Sequence, residues 1–171
     1  MKKIIITGAA MLGFVFTSNQ LSAQESFMSG GTEIAISLGD YGDVYPFGFG
    51  VSGQYEFGVT SKLGITASAG YTLMTPDSEL NLENAYFLPL QVGGKYYLTE
   101  SREGLFLAAQ LGVHIFGGGG SSETATNLSF APEVGYFFTE KISAALRFNV
   151  ITQEEGVDNW NYLGLRAAYN F

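Results

Sequence analysis

Six charged side chains, Glu33, Glu56, Lys95, Glu133, Arg147 and Arg166, stand inside stretches that otherwise alternate apolar with small or polar residues. Three are acids and three are bases, so gathered in one place they neutralise one another. Charges held away from water must be paired in this way, because an isolated one is very costly. Two chemistries fit such a set: a fixed network that fills a narrow interior, or a gate that opens to pass ions. His114 is the only histidine. Nucleophilic hydrolysis would need it beside a Ser and an orienting acid or amide. A packing role is the plainer alternative and the one expected here. With no Cys and no second His, a His- or Cys-rich metal centre is not expected, nor is a cofactor. The DYGD stretch at 40–43 lacks the ligand spacing of a calcium loop. The glycines at 117–120 are followed by neither a Lys-Ser/Thr pair nor a helical pattern, so a phosphate loop is excluded and a flexible loop tip is expected.

The elements that must position these residues follow a period of two. After residue 30 the alternation is nearly continuous, with no convincing helical stretch. Eight segments are read as strands: 33–38, 47–57, 63–73, 86–98, 105–116, 127–138, 142–151 and 160–171. Most are longer than the ~5–6 residues usual for soluble strands and match the ~9–11 of a tilted strand crossing a bilayer. The first is short and is expected to reach back toward Phe27. Three connections are tight (GVTSK, TESREG, TEK) and four are longer (GDYGDVYP, MTPDSELNLENA, GGGGSSETAT, TQEEGVDN). Asp40, Asp43, Asp77, Glu79, Glu83, Glu123, Glu154, Glu155 and Asp158 stand in the long ones, with no Lys or Arg; Lys62, Arg102 and Lys141 stand in the tight ones. Two different sides are implied.

Each segment has one apolar face. Phe47, Phe49, Val51, Tyr55 and Phe57 oppose Gly48, Gly50, Ser52, Gln54 and Glu56. Small and amide-bearing residues suit a crowded interior better than a wet exterior, and Tyr86, Tyr96, Tyr136, Phe138, Tyr169 and Phe171 tip the apolar face with rings as interfacial girdles do. The fold predicted is therefore all-β: an eight-stranded antiparallel up-and-down transmembrane barrel, apolar side outward. All six in-strand charges fall on the polar face, as does His114. A three-residue turn at 139–141 sets Glu133 opposite Arg147, with Arg166 one strand further on. Glu33, Glu56 and Lys95 lie nearer the tight-turn end and are expected to form a second group. Pro89 and Pro132 each remove a ladder donor, so bulges are expected there.

At the start of the chain Lys2 and Lys3 precede an apolar run over 4–16, then TSNQ and LSAQE. This is the layout of a secretory signal peptide, 1–23, cleaved after Ala23; the run falls short of the ~20 residues of a membrane-spanning helix. Residues 24–171 are then one barrel domain. No Cys follows the run, so neither a lipidated N-terminus nor disulfides are expected. Without Lys2 and Lys3 the chain keeps six basic against sixteen acidic side chains, which argues against nucleic acid as a partner.

The closing stretch NYLGLRAAYNF, with Leu163, Leu165, Tyr169 and the terminal Phe171 at every second position, and PLQVGGKYYL at 89–98 resemble the small eight-stranded bacterial outer-membrane β-barrel superfamily. Its members include the transmembrane domain of outer-membrane protein A and its small relatives. The resemblance implies placement in the outer membrane among its lipid and lipopolysaccharide, both termini periplasmic, and a C-terminal strand read by the barrel-assembly machinery after escort by periplasmic chaperones. It implies no cell-wall tether, because no peptidoglycan-binding domain follows. Small lipid A deacylases of that membrane carry a Ser two residues after their His; here that position is Phe116. The function expected is a structural and surface-interaction barrel without catalysis. The alternative is a gated small channel or a transporter of small hydrophobic molecules or ions. Closure leaves no sheet edge, which suits a monomer.

Overall fold

A computed structural model describes residues 26–118, 121–153 and 157–171, the side chains of 121–123 excepted. The signal peptide expected at 1–23, the glycines at 119–120, Glu154, Glu155 and the side chain of Glu123 lie outside the described residues.

Eight strands follow one another: β1 (Phe27–Leu38), β2 (Phe47–Gly58), β3 (Leu63–Thr75), β4 (Ala85–Tyr97), β5 (Gly104–Gly118), β6 (Ser121–Phe137), β7 (Ile142–Ile151) and β8 (Trp160–Asn170). Each pairs antiparallel with the next, and β8 returns to β1 to close the barrel. The first strand does reach back to Phe27. The tight turns fix the register. Phe138 N–H donates to Ile142 O at 2.9 Å and Val59 N–H to Leu63 O at 2.7 Å. In these two turns Thr139 and Thr60 Oγ1 accept backbone N–H groups that would otherwise be orphaned. Closure pairs Ser29 with Asn170 and Leu38 with Asn161, and Phe171 N–H donates to Met28 O at 2.9 Å.

The period of two puts large apolar side chains outside. Phe49, Val51, Ile65, Val92, Leu111 and Leu165 are all more than half exposed, whereas Gln54, Glu56, Gln91, Gln110 and Asn149 are buried. A soluble barrel has the opposite arrangement. An exposed belt of this kind suits an apolar medium, in which closure would satisfy the backbone. Tyr136 and Phe138, and Tyr169 and Phe171, form ring pairs on the outer wall at the tight-turn end.

Three features differ from the sequence expectations. Asp40–Val44 forms a short helix, α1, where no helix was predicted. Its N-cap, Gly39, has φ 67, a left-handed conformation that glycine adopts without penalty. Five residues carry no periodicity to read; tertiary contacts hold the helix instead. Second, most of the GGGGSSETAT stretch is strand where a long loop was expected: β5 runs to Gly118 and β6 starts at Ser121, and the tip expected to be flexible, 119–120, lies outside the described residues. Ser, Thr and Ala pair well on a strand but give no apolar alternation. Third, the prolines make no bulge. Register is the same on both sides of Pro89 between β3 and β4, and of Pro132 between β6 and β7, with only the proline's own pair and one adjacent pair missing from each ladder. The register shift lies between Phe116 and Gly118.

Candidate functional site: a lumen sealed at both ends

The interior has three layers, built by inward-pointing residues. At the long-loop end Phe87, Trp160, Tyr162, Met74 and Ile151 form a buried cluster, with Phe116 packed against it. Helix α1 lies across this cluster. Tyr41 stacks on Trp160 with ring centroids 4.4 Å apart and planes 10° apart, and Tyr45 lies 5.7 Å from the same indole. Trp160 Nε1–H donates to Ser37 Oγ at 3.0 Å. The helix is tied to the next loop by Tyr45 Oη, which donates to Glu83 O at 3.2 Å, and by Asp77 N–H, which donates to Val44 O at 2.9 Å. Burial first, then the nearby Asp158 carboxylate, raises the Tyr41 phenol above its ordinary pKa. Sequence reasoning passed over these aromatics, although Phe87, Trp160 and Tyr162 share the parity of the polar face.

At the tight-turn end Tyr97, Phe106 and Phe137 form a second buried cluster. Lys95 Nζ lies 4.9 Å from the Phe106 ring centroid and 5.7 Å from that of Phe137. Outside it, the Arg102 guanidinium sits 4.4 Å over Phe27 and 5.7 Å over Tyr97.

The six in-strand charges lie between these clusters, all at most 6 % exposed. Glu133 is registered opposite Arg147, whose Nη2 lies 2.6 Å and whose Nε lies 2.7 Å from Glu133 Oε2. Lys95 Nζ is 2.9 Å from Glu56 Oε2 and also donates to Gln54 Oε1 at 2.9 Å; Tyr97 Oη donates to Glu56 Oε1 at 2.8 Å. Glu33 departs from the expected second group. It is registered opposite Arg166 and lies against Gly164, where an added Cβ would come within 2.6 Å of its Oε1. That neighbourhood exists only because β8 closes onto β1, which alternation within one strand does not reveal. Arg166 donates through Nε to Ser52 Oγ at 2.8 Å and through Nη2 to Ser29 Oγ at 3.3 Å. Glu33 Oε1 and both amide atoms of Asn149 have no hydrogen-bond partner among the described residues. Amide–hydroxyl contacts fill the remaining width: Gln91 Nε2 to Ser129 Oγ at 3.2 Å, and Ser68 Oγ to Gln110 Oε1 at 2.8 Å.

His114 is fully buried, with Nε2 3.0 Å from Tyr162 Oη and its ring edge-on to Phe87. Its ring contacts are with Phe87 and Tyr162. Among the described residues no group of three or more His, Cys, Asp or Glu comes together in a way that could hold a metal ion. In the closing strand Leu165, Tyr169 and Phe171 are exposed on the outer wall, Leu163 shares that face half-buried, and Arg166 points inward.

No family model matches this chain, and no curated protein matches it. Solved structures do. Neisserial surface protein A is 17% identical with a TM-score of 0.63, over 85% of this chain and 95% of that one. Ail, the attachment invasion locus protein of Yersinia pestis, is 16% identical with a TM-score of 0.59, over 85% of this chain and 97% of that one. It has also been solved in complex with the heparin analogue sucrose octasulfate. The N-terminal β-barrel domain of Pseudomonas aeruginosa OprF is 15% identical with a TM-score of 0.55, over 86% of this chain and 98% of that one. The shared property is the closed eight-stranded barrel of small outer-membrane proteins.

Proposed function

We propose that this chain, folded as small outer-membrane β-barrels are, sits in the outer membrane with both termini periplasmic and serves as a structural and surface-interaction barrel. The observation that carries this reading is the sealed lumen: aromatic clusters at both ends enclose six buried charges, of which Glu56–Lys95 and Glu133–Arg147 are ion-paired. An eight-stranded interior is just wide enough for side chains to fill. Within this reading catalysis has no place, and the protein meets its surroundings through its outer wall and its loops. The wall contacts outer-membrane lipid, and the long loops lie among lipopolysaccharide. The barrel-assembly machinery and periplasmic chaperones deliver the chain there. Acidic side chains in the long loops, with no Lys or Arg, favour basic partners and disfavour a polyanion such as the one crystallised with Ail.

Planar-bilayer recording of the refolded protein tests this. The expected trace is silent; a sustained ohmic current overturns the sealed-barrel reading. Orientation is checked on intact cells carrying Glu79→Cys or Lys141→Cys. A membrane-impermeant maleimide should label the first and leave the second unlabelled.

A gated channel is the second reading, favoured by one observation. Glu33, opposite Arg166, keeps an unused acceptor oxygen and offers the lumenal guanidinium groups an alternative partner. Under that reading Glu133→Ala conducts where the parent is silent.

A further inference from the structure

The β6–β7 ladder is interrupted toward the long-loop end. It lacks the pairs Ala131–Asn149 and Pro132–Phe148, while the ladders on either side, β5–β6 and β7–β8, run unbroken past the same residues. Pro132 brings no N–H to share. Above the gap β7 is held to β6 by two rungs, Ser129–Ile151 and Phe130–Val150. Thr152 adds its N–H and Oγ1, which both donate to Leu128 O at 2.9 and 3.1 Å, and Asn127 Nδ2 donates to Gln153 Oε1 at 3.0 Å. Below the gap run five rungs, the first of them carrying the buried Glu133–Arg147 pair.

The gap at Pro89 is built differently. There the proline is buried and lies against Gly70, where an added Cβ would come within 3.2 Å of its ring. Pro132 lies instead on the outer wall, where it lines a recess of about 320 Å³ with Leu146 and Phe148. On the lumenal side stands Asn149, 0% exposed, with neither amide atom partnered among the described residues. Glu33 Oε1 is unpartnered too; it and Asn149 Nδ2 flank Gly164, 2.6 and 3.5 Å from where a Cβ would stand. Unpaired polar atoms raise the free energy of a closed interior, and few hydrogen bonds resist separation above the gap. Separation frees backbone groups that an apolar medium leaves unsatisfied. Asn149 carries both a donor and an acceptor at the height of the missing rungs, and can meet those groups from the lumen. We infer that the upper part of the β6–β7 seam is a side hatch. The two strands part locally above Glu133–Arg147, Asn149 bonds the freed backbone, and the rest of the barrel stays closed. Such an opening leads through the wall and is independent of whether the lumen conducts from end to end.

Amide hydrogen exchange of the refolded protein in detergent micelles, read residue by residue by NMR, tests this. Amides of 129–130 and 150–152 that bond across the seam should exchange several-fold faster than those crossing it at 133–137 and 143–147. They should also exchange faster than amides above the Pro89 gap, at 72–74 and 85–87. Pro132→Val restores the missing donor and should remove most of that excess. Asn149→Leu keeps a similar side-chain shape without the unpartnered atoms and should slow the same amides. Pro89→Val should leave β7 at its parent rates. Exchange that is even along the β6–β7 seam, or as fast above Pro89 as above Pro132, overturns the proposal. So does an excess that neither Pro132→Val nor Asn149→Leu reduces.

Discussion

Removing the carboxylate at position 133 leaves Arg147, 3% exposed, charged and without the partner that now holds it. Breaking a buried pair from one side costs about 3–5 kcal/mol, so Glu133→Ala should lower the urea midpoint of the refolded barrel by that equivalent. Replacing both partners with apolar residues of similar volume removes the stranded charge. The double variant Glu133→Leu, Arg147→Met should therefore recover most of the loss. Gly164→Val tests the closure side of the network. Its Cβ would come within 2.6 Å of Glu33 Oε1, and overpacking of this kind costs about 1–3 kcal/mol. The same urea titration reads it, and a midpoint equal to the parent's shows that Glu33 moves freely. The Glu133–Arg147 pairing was legible beforehand because a three-residue turn fixes which residues face each other. The neighbourhood of Glu33 was not, since it depends on contacts between opposite ends of the chain.

Among the elements, the strands could be read because each has a face that must meet an apolar medium and a face that must not. Helix α1 could not be read that way. It is held by Tyr41 and Tyr45 against an indole contributed by β8, and by two hydrogen bonds to the loop after β3. This makes its attachment measurable. Trp160 is the only tryptophan and is 3% exposed. Tyr41→Ala removes a stacked pair worth about 0.5–1.5 kcal/mol. It should raise acrylamide quenching of Trp160 fluorescence while the gel mobility stays that of a folded barrel. Unchanged quenching means that Phe87 and Tyr45 alone shield the indole. The extension of β5 and β6 escaped sequence reading for a different reason. Thr124, Ala125 and Thr126 are exposed on both faces of β6, so nothing there had to alternate. Pro89 and Pro132 show the limit of a rule about donors: a ladder can lose two rungs and keep its register when its neighbours on both sides hold.

For the whole molecule, both ends of the described chain meet at one place, where Phe171 N–H donates to Met28 O. Joining residue 171 to residue 27 through a short flexible linker and opening the chain between Ser78 and Glu79 should give a circular permutant with the same barrel. A heat-shifted gel band checks it, and a band that does not shift shows that strand order matters to assembly as well as to architecture.

The pairing of Ser29 with Asn170 also sets a timetable. Residues at opposite ends of the chain must meet before either strand has both neighbours, and the polypeptide has no cross-link to hold a partial product. An incomplete sheet in hydrocarbon would expose two rows of unpaired amides, each group costing several kcal/mol. In the membrane placement proposed above, insertion and closure are thus one event, and the first strand made must wait, with one edge open, for the last.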